Sequence, residues 1–488
     1  MKNLVQRYII IFFTAFSSFL YSQNSVQKAI DLFVCDKINA HASISFMAID
    51  LESGNEIAQT NGNLSITSAS VAKLFSTATA FELLGKDFTT ETRFYADGIV
   101  TSDSVLHGNL WIRGGGDVTL GSRFFNPDES EFSVLVAWSD SLKSKGINRI
   151  EGAIIADGSE FGYKGVPDGW NWADVGNYYG AGAAGINFYD NQIKFKFKTG
   201  KVGELSQIHS IFPEIPNLEV KNNVIAANVS DDNSYVFGAP FSLERMIQGK
   251  LPANQTSFEV KGSMPDPEFQ LAHEFCKILK SKGIYVEKAA KGYRTLDIDL
   301  KPDYTDKFKL LFSQPSKTVQ QIAYWTNLRS VNLYAEGLLN LVGYAKTGDG
   351  STESGLKQME AYWGNKIDLS GLSLKDGSGL SRSNAMSAHH FCQLLKVMYQ
   401  SSNFTDFKNT LPVAGQSGTA RSLCKGEAGE GRVFAKSGTI NKVKAYAGYV
   451  DSKSGKKIAF SISVNNFEGS NSELIQKMEK VLNALASY

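Results

Sequence analysis

The chain has 488 residues, 42% of them hydrophobic, enough apolar material for packed cores in about two to four domains. Its 50 basic and 49 acidic side chains leave a net charge of +1, which argues against nucleic-acid binding, since that requires a concentrated basic face. The histidines (His41, His107, His209, His273, His389 and His390) show no metal-binding spacing and the four cysteines no C-x-x-C pair, so no metal or other cofactor is expected.

Met1 to Arg7 carries two positive charges ahead of an apolar run from Tyr8 to about Leu20 and small residues near Ser22. The run is shorter than the ~20 apolar residues of a membrane span, so residues 1–22 read as a signal peptide, with an uncleaved anchor as the alternative. Cys35 lies too far along to be a lipid-attachment site at that junction. No later segment is long and apolar enough to span a bilayer, and a periplasmic mature chain is expected. Spacing does not determine how Cys35, Cys276, Cys392 and Cys424 pair, although Cys276, in an apolar helical run, reads as a buried thiol.

Gln27 to Ile38 predicts a helix with Ile30, Phe33 and Val34 as its stripe, and Ala42 to Leu51 a strand that turns at Glu52-Ser53-Gly54-Asn55 into a second. Val71 to Leu84 predicts another helix. Past Thr92 the chain reads as short strands and Gly/Asp turns until helical periodicity returns over Val319 to Val342. Strands are predicted at Arg432 to Ile440, Lys444 to Val450 and Lys457 to Val464, then a helix over Ser472 to Ala486. The polar face of that last helix mixes glutamates with lysines, which favours packing on a sheet over docking on a membrane.

Ser70 and Lys73 hold the most informative spacing. Positions i and i+3 share a helix face, so the Lys73 amine can reach the Ser70 hydroxyl and take its proton. The spacing alone is common, recurring at Ser354/Lys357, Ser422/Lys425 and Ser454/Lys457. Order and context add weight, because Ser330-Val331-Asn332 follows in a helical segment and Lys436-Ser437-Gly438-Thr439 in a strand. Ser401/Asn403 and Ser463/Asn465 repeat the S-x-N spacing, and Lys453-Ser454-Gly455 repeats the tripeptide but falls between two alternating runs, as a hairpin turn would. Gly438, inside a strand, instead marks close approach by a ligand or another backbone.

S-x-x-K, S-x-N and K-[ST]-G in this order form the signature set of penicillin-interacting serine enzymes. With Leu110-Trp111-Ile112-Arg113-Gly114-Gly115-Gly116-Asp117, Ile154-Ile155-Ala156-Asp157-Gly158-Ser159, Asp168-Gly169-Trp170-Asn171-Trp172, Gly176-Asn177-Tyr178-Tyr179-Gly180, Asp376-Gly377-Ser378-Gly379-Leu380-Ser381-Arg382 and Leu411-Pro412-Val413-Ala414-Gly415, the chain resembles the class C low-molecular-mass penicillin-binding proteins, the D-Ala-D-Ala carboxypeptidase/endopeptidase family. The resemblance implies an α+β fold: a serine β-lactamase/DD-peptidase-like domain, an antiparallel sheet flanked by helices, with two inserted, mostly β domains. It implies the discontinuous peptidase domain at 23–92 plus 305–488, inserted domain II at 93–163 plus 251–304, and nested domain III at 164–250.

On this resemblance Ser70 is the nucleophile, Lys73 its base, Ser330 the relay to the departing amine, Asn332 a holder of substrate and of Lys73, and Lys436 the cation for the terminal carboxylate. Proximity to Lys436 and desolvation are expected to lower the pKa of Lys73. Ser437 and Thr439 add hydroxyl donors, Gly438 admits the close approach, and the N–H groups of Ser70 and Thr439 face the oxyanion. Many relatives carry threonine where this chain has Ser437. Asp157, Phe161, Arg382 and Asn441 match positions lining the pocket for the stem-peptide side chain, where Asp157 would pair with the amine of a diamino acid; Asp157 also reads as a turn former before Gly158. The implied partners are peptidoglycan peptides ending in D-Ala-D-Ala, and β-lactams as covalent inhibitors. A β-lactamase on the same fold and a non-catalytic peptidoglycan-binding relative are the alternatives; no acidic deacylation base is identifiable for the first, and the intact trio of Ser70, Ser330 and Lys436 weighs against the second.

Overall fold

The computed structural model describes residues 25–125, 130–162, 164–296, 302, 304 and 307–488, so the signal-peptide reading of residues 1–22 lies outside the described residues. The chain divides into two compact units. The first combines the described part of Met1–Phe81 with Ala323–Ser330 and Glu360–Tyr488, and the second combines Glu82–Ile322 with Val331–Met359.

The first unit is built on one five-stranded antiparallel sheet, in the order Val433–Ile440, Val443–Asp451, Lys457–Asn465, Ser43–Asp50, Glu56–Thr60. The two ends of the sequence share it: Ser43–Asp50 pairs with Lys457–Asn465 from Ser43↔Asn465 to Asp50↔Ile458. Val443–Asp451 is buried along nearly its whole length, as a central strand covered on both faces should be. One face packs on the C-terminal helix Asn471–Ser487 through Leu474, Met478, Val481, Leu482 and Leu485, together with Val26, Ile30 and Phe33 of the helical residues 25–34. The helix Ala388–Gln400 covers the other, with the Cys392 thiol donating to the Met47 carbonyl at 3.4 Å. Lys453-Ser454-Gly455 is the hairpin turn between two of these strands.

Among its described residues the second unit holds four small sheets. Glu91–Ala96, Leu110–Arg113 and Ile154–Asp157 sit in a five-stranded one, and Trp138, Phe275 and Leu271 from helices Ser133–Ser144 and Pro267–Ser281 pack with Phe94 in its core. The fold is therefore α+β, with extra β-rich structure inserted between the strands of one antiparallel sheet.

Three predicted helices are altered by local geometry. Asp36 caps a 3-10 turn, Lys37–Asn39, by accepting from the Ile38 N–H at 3.1 Å, so the first helix stops short of Ile38. The helix expected from Val71 begins as a 3-10 turn, Ala69–Ala72, and becomes α-helical at Lys73–Leu83. The helix expected over Val319 to Val342 is two, Val319–Arg329 and Asn332–Thr347. The break is Ser330, a non-glycine residue at φ 60°, followed by Val331 in extended geometry.

Candidate active site

The site is assembled in the first unit from three chain segments. Ala69, at φ 47°, sharpens the entry into the 3-10 turn that carries Ser70 and leaves the Ser70 side chain half-buried at the head of the following helix. Lys73 is fully buried, and its Nζ donates to Ser70 Oγ at 2.9 Å and to the Ser378 carbonyl at 2.6 Å. The i, i+3 relation survives the 3-10 start because the 3-10 helix repeats every three residues.

Ser330 approaches from the break between the two helices. Its Oγ accepts from Lys436 Nζ at 2.9 Å, and the same ammonium donates to the Ser437 carbonyl at 2.7 Å. Lys436 stands on the strand Val433–Ile440 with no exposed surface. Burial pushes its pKa well below the lysine value, and the charges of Lys73 and Lys444 push the same way.

Gly438 explains how that strand comes so near the nucleophile. A Cβ there would lie 2.4 Å from the Ser68 carbonyl and 3.1 Å from the Ser70 nitrogen, so only glycine allows the two backbones to touch. Gly379, at φ 78°, plays the same part from the other side, where a Cβ would meet the Ala69 carbonyl at 2.0 Å.

Of the other residues singled out in the sequence, Ser437 donates its hydroxyl to Thr419 Oγ1 at 2.8 Å, and Thr439, exposed, accepts from Lys444 Nζ at 2.8 Å. Arg382 and Asn441 are exposed neighbours in the first unit, with Arg382 donating to the Asn441 carbonyl at 3.3 Å. Asn332, Asp157 and Phe161 belong to the second unit. There Asn332 Nδ2 donates to the Tyr179 carbonyl at 2.7 Å. Asp157, 2% exposed, accepts from the Ser159 N–H at 2.9 Å in a turn and from the Tyr304 hydroxyl. Phe161 is buried against Tyr344, ring centroids 4.8 Å apart.

Sequence reasoning missed the residues that hold this site from behind. Asp376 is buried, and its carboxylate gathers the N–H groups of Gly379 at 2.9 Å and Ser381 at 2.7 Å and the Asn384 amide at 2.7 Å. That loop places the Ser378 carbonyl on Lys73, and Ser76 on the nucleophile helix donates to the neighbouring Gly377 carbonyl at 2.5 Å. An aspartate before Gly-x-Gly is a local sign of such a loop, but its target is not local. Lys444, 7% exposed and lowered to about 8 by burial, was likewise invisible as anything but an alternating strand residue.

The arrangement suits nucleophilic acyl transfer: an amine within hydrogen-bond reach of a serine, a second serine linked to a second amine, and the strand Val433–Ile440 alongside. Among known proteins, the chain is similar to a D-alanyl-D-alanine carboxypeptidase of Actinomadura sp., 27% identical over 91% of this chain and 81% of the relative. It is also 25% identical to the D-alanyl-D-alanine carboxypeptidase DacB of Haemophilus influenzae, over 97% of this chain and 98% of that one. The crystal structure of penicillin binding protein 4 from Haemophilus influenzae shares the fold, with a TM-score of 0.79 at 22% identity over 94% of this chain and 99% of that one. The model of the D-Ala-D-Ala carboxypeptidase 3 (S13) family matches residues 26–486, and the chain belongs to that family of serine peptidases.

Proposed function

We propose that this protein is a serine D-Ala-D-Ala carboxypeptidase, and also a DD-endopeptidase, that acts on peptidoglycan stem peptides through an acyl-enzyme and is acylated by β-lactams. The observation that carries the reading is the pair of 2.9 Å contacts, Lys73 to Ser70 and Lys436 to Ser330, in one unit. Ser70 attacks the penultimate carbonyl while Lys73 accepts its proton. Ser330, linked to Lys436, returns a proton to the departing D-Ala amine, and water resolves the ester.

Lys436 meets the terminal carboxylate. Burial lowers its pKa while the site is empty, and an arriving carboxylate favours its charged form. Asn332 holds the substrate amide and Lys73, Ser437, Gly438 and Thr439 line the carboxylate end, and Asp157, Phe161, Arg382 and Asn441 receive the stem-peptide side chain. The leader-like residues 1–22 direct the chain to the periplasm, and no helix among the described residues is long and apolar enough to cross a membrane.

Mass spectrometry after benzylpenicillin, with peptide mapping, tests this. The expected result is a persistent penicilloyl adduct on Ser70 and release of D-Ala from a pentapeptide, both lost in Ser70→Ala. A label on another residue, or an unimpaired alanine variant, would overturn the assignment. Rapid β-lactam turnover would favour a β-lactamase, and neither labelling nor D-Ala release a binding protein.

A further inference from the structure

Lys444 has no part in the chemistry proposed above, yet it is built into the strand beside it. Val443–Asp451 runs antiparallel to Val433–Ile440 in a register that sets Lys444 directly opposite Thr439 and Tyr446 opposite Ser437. Directly opposed residues point to the same face of a sheet, and strand alternation brings Tyr446, two residues on, to that face as well. There Lys444 Nζ lies 4.8 Å from the centroid of the Tyr446 ring and donates to Thr439 Oγ1 at 2.8 Å.

A lysine ordinarily carries its ammonium to water or to a carboxylate. Lys444 does neither: it is 7% exposed, and no carboxylate pairs with it among the described residues. Burial lowers its pKa to about 8, so at neutral pH it is still mostly an ammonium. Replacing such a cation by an apolar side chain of similar shape is often neutral or stabilising, so packing does not account for the charge.

The hydrogen bond to Thr439 does. An ammonium has donors and no acceptor, so the Thr439 oxygen must accept and its own proton must point elsewhere. Thr439 is exposed, which leaves that proton available to a ligand, and accepting from a cation polarises the O–H into a stronger donor. A threonine hydroxyl usually rotates to donate or accept as its neighbours allow, but this one is committed to donating. Ser437, two residues earlier, differs because its hydroxyl is spent on Thr419 Oγ1 at 2.8 Å. A committed donor fits a carboxylate, which only accepts, better than an ester or an amide, which carry no charge.

We infer that Lys444 is a positioning residue which, by holding the Thr439 hydroxyl as a donor, sets the preference of the enzyme for a free carboxylate beside the reacting bond. Lys444 acts through Thr439 and does not itself touch the substrate. The inference rests on the function proposed above, which puts Thr439 at the carboxylate end, and deepens it by naming the group that prepares that end.

The test uses two acylating agents that differ only at the carboxylate, benzylpenicillin and its methyl ester. Rates of Ser70 acylation are followed by intact mass for the whole enzyme, for Lys444→Met, for Thr439→Val and for the double variant, with KM and kcat for N-acetyl-Lys-D-Ala-D-Ala alongside. Lys444→Met should slow acylation by benzylpenicillin about tenfold and raise KM about tenfold, while kcat and acylation by the methyl ester change less than about twofold. Thr439→Val, at an exposed position, should lose the same preference, and the double variant should lose little more, because the two residues act as a unit. Equal slowing of both agents by Lys444→Met, an unchanged preference in that variant, or losses that multiply in the double variant would overturn the positioning role alone. An unsubstituted enzyme that is not labelled at Ser70 and releases no D-Ala overturns the proposed function as well.

Discussion

At the scale of single residues, two buried amines do different work because each is the partner of a different hydroxyl. Lys73 touches the nucleophile, so Lys73→Met should lower the acylation rate by benzylpenicillin about 10³-fold while the protein melts as a folded chain, measured by stopped-flow labelling. Lys436 is a buried base whose pKa lies well below 10.5, so the unfolded chain binds more protons than the folded one between that lowered value and 10.5. Stability should therefore rise with pH across that window, and Lys436→Met should flatten the rise. The same variant should raise stability near neutral pH by about 1 kcal/mol while destroying binding of carboxylate-ended peptides. KM for such peptides should climb as pH passes upward through the lowered pKa, and a peptide amidated at its C-terminus should not show the climb.

At the scale of elements, the site depends on places where regular structure is interrupted. Ser330 sits in the left-handed region at the gap between two helices, an arrangement that costs a non-glycine residue about 1 kcal/mol. Ser330→Gly should regain about 1 kcal/mol of stability by denaturant titration yet slow deacylation and D-Ala release, separating strain from chemistry. The strand at Gly438 makes the opposite demand. Gly438→Ala would place a methyl 2.4 Å from the Ser68 carbonyl, so the strand and the nucleophile turn must part. A shift of that size predicts a loss of about 10²-fold in kcat/KM and about 1–3 kcal/mol in stability.

Motif order in the sequence carried the residues of this site further than periodicity did. The strand-like run Arg432 to Ile440 located the strand Val433–Ile440, and a glycine inside a strand singled out Gly438, both legible in adjacent residues. The apolar periodicity of Val319 to Val342 runs straight through the break at Ser330, whose hydroxyl accepts from Lys436 over a hundred residues away. The target of the Asp376 loop was unreadable for the same reason: it matters because Ser378 meets Lys73, 305 residues distant in the chain.

At the scale of the whole molecule, the four cysteines are free thiols, so nothing covalent ties the chain together among the described residues. Cys35 is exposed, Cys276 half-buried with its thiol pushed up to about 12, and Cys392 and Cys424 are buried. Maleimide should modify Cys35 alone in the native protein and all four in denaturant, as read by intact mass, and reductant should leave Tm unchanged.

Local information sufficed for what is local: the helix and strand periods, the i, i+3 reach of Lys73 to Ser70, the hairpin at Lys453-Ser454-Gly455, and the motif order that marks the family. Tertiary structure alone decided the rest. It paired the first strands with the last, bent the chain at Ser330, and buried Lys73 and Lys436, lowering the pKa of Lys436. Those outcomes depend on desolvation and on contacts between distant segments, and both exist only once the chain has folded.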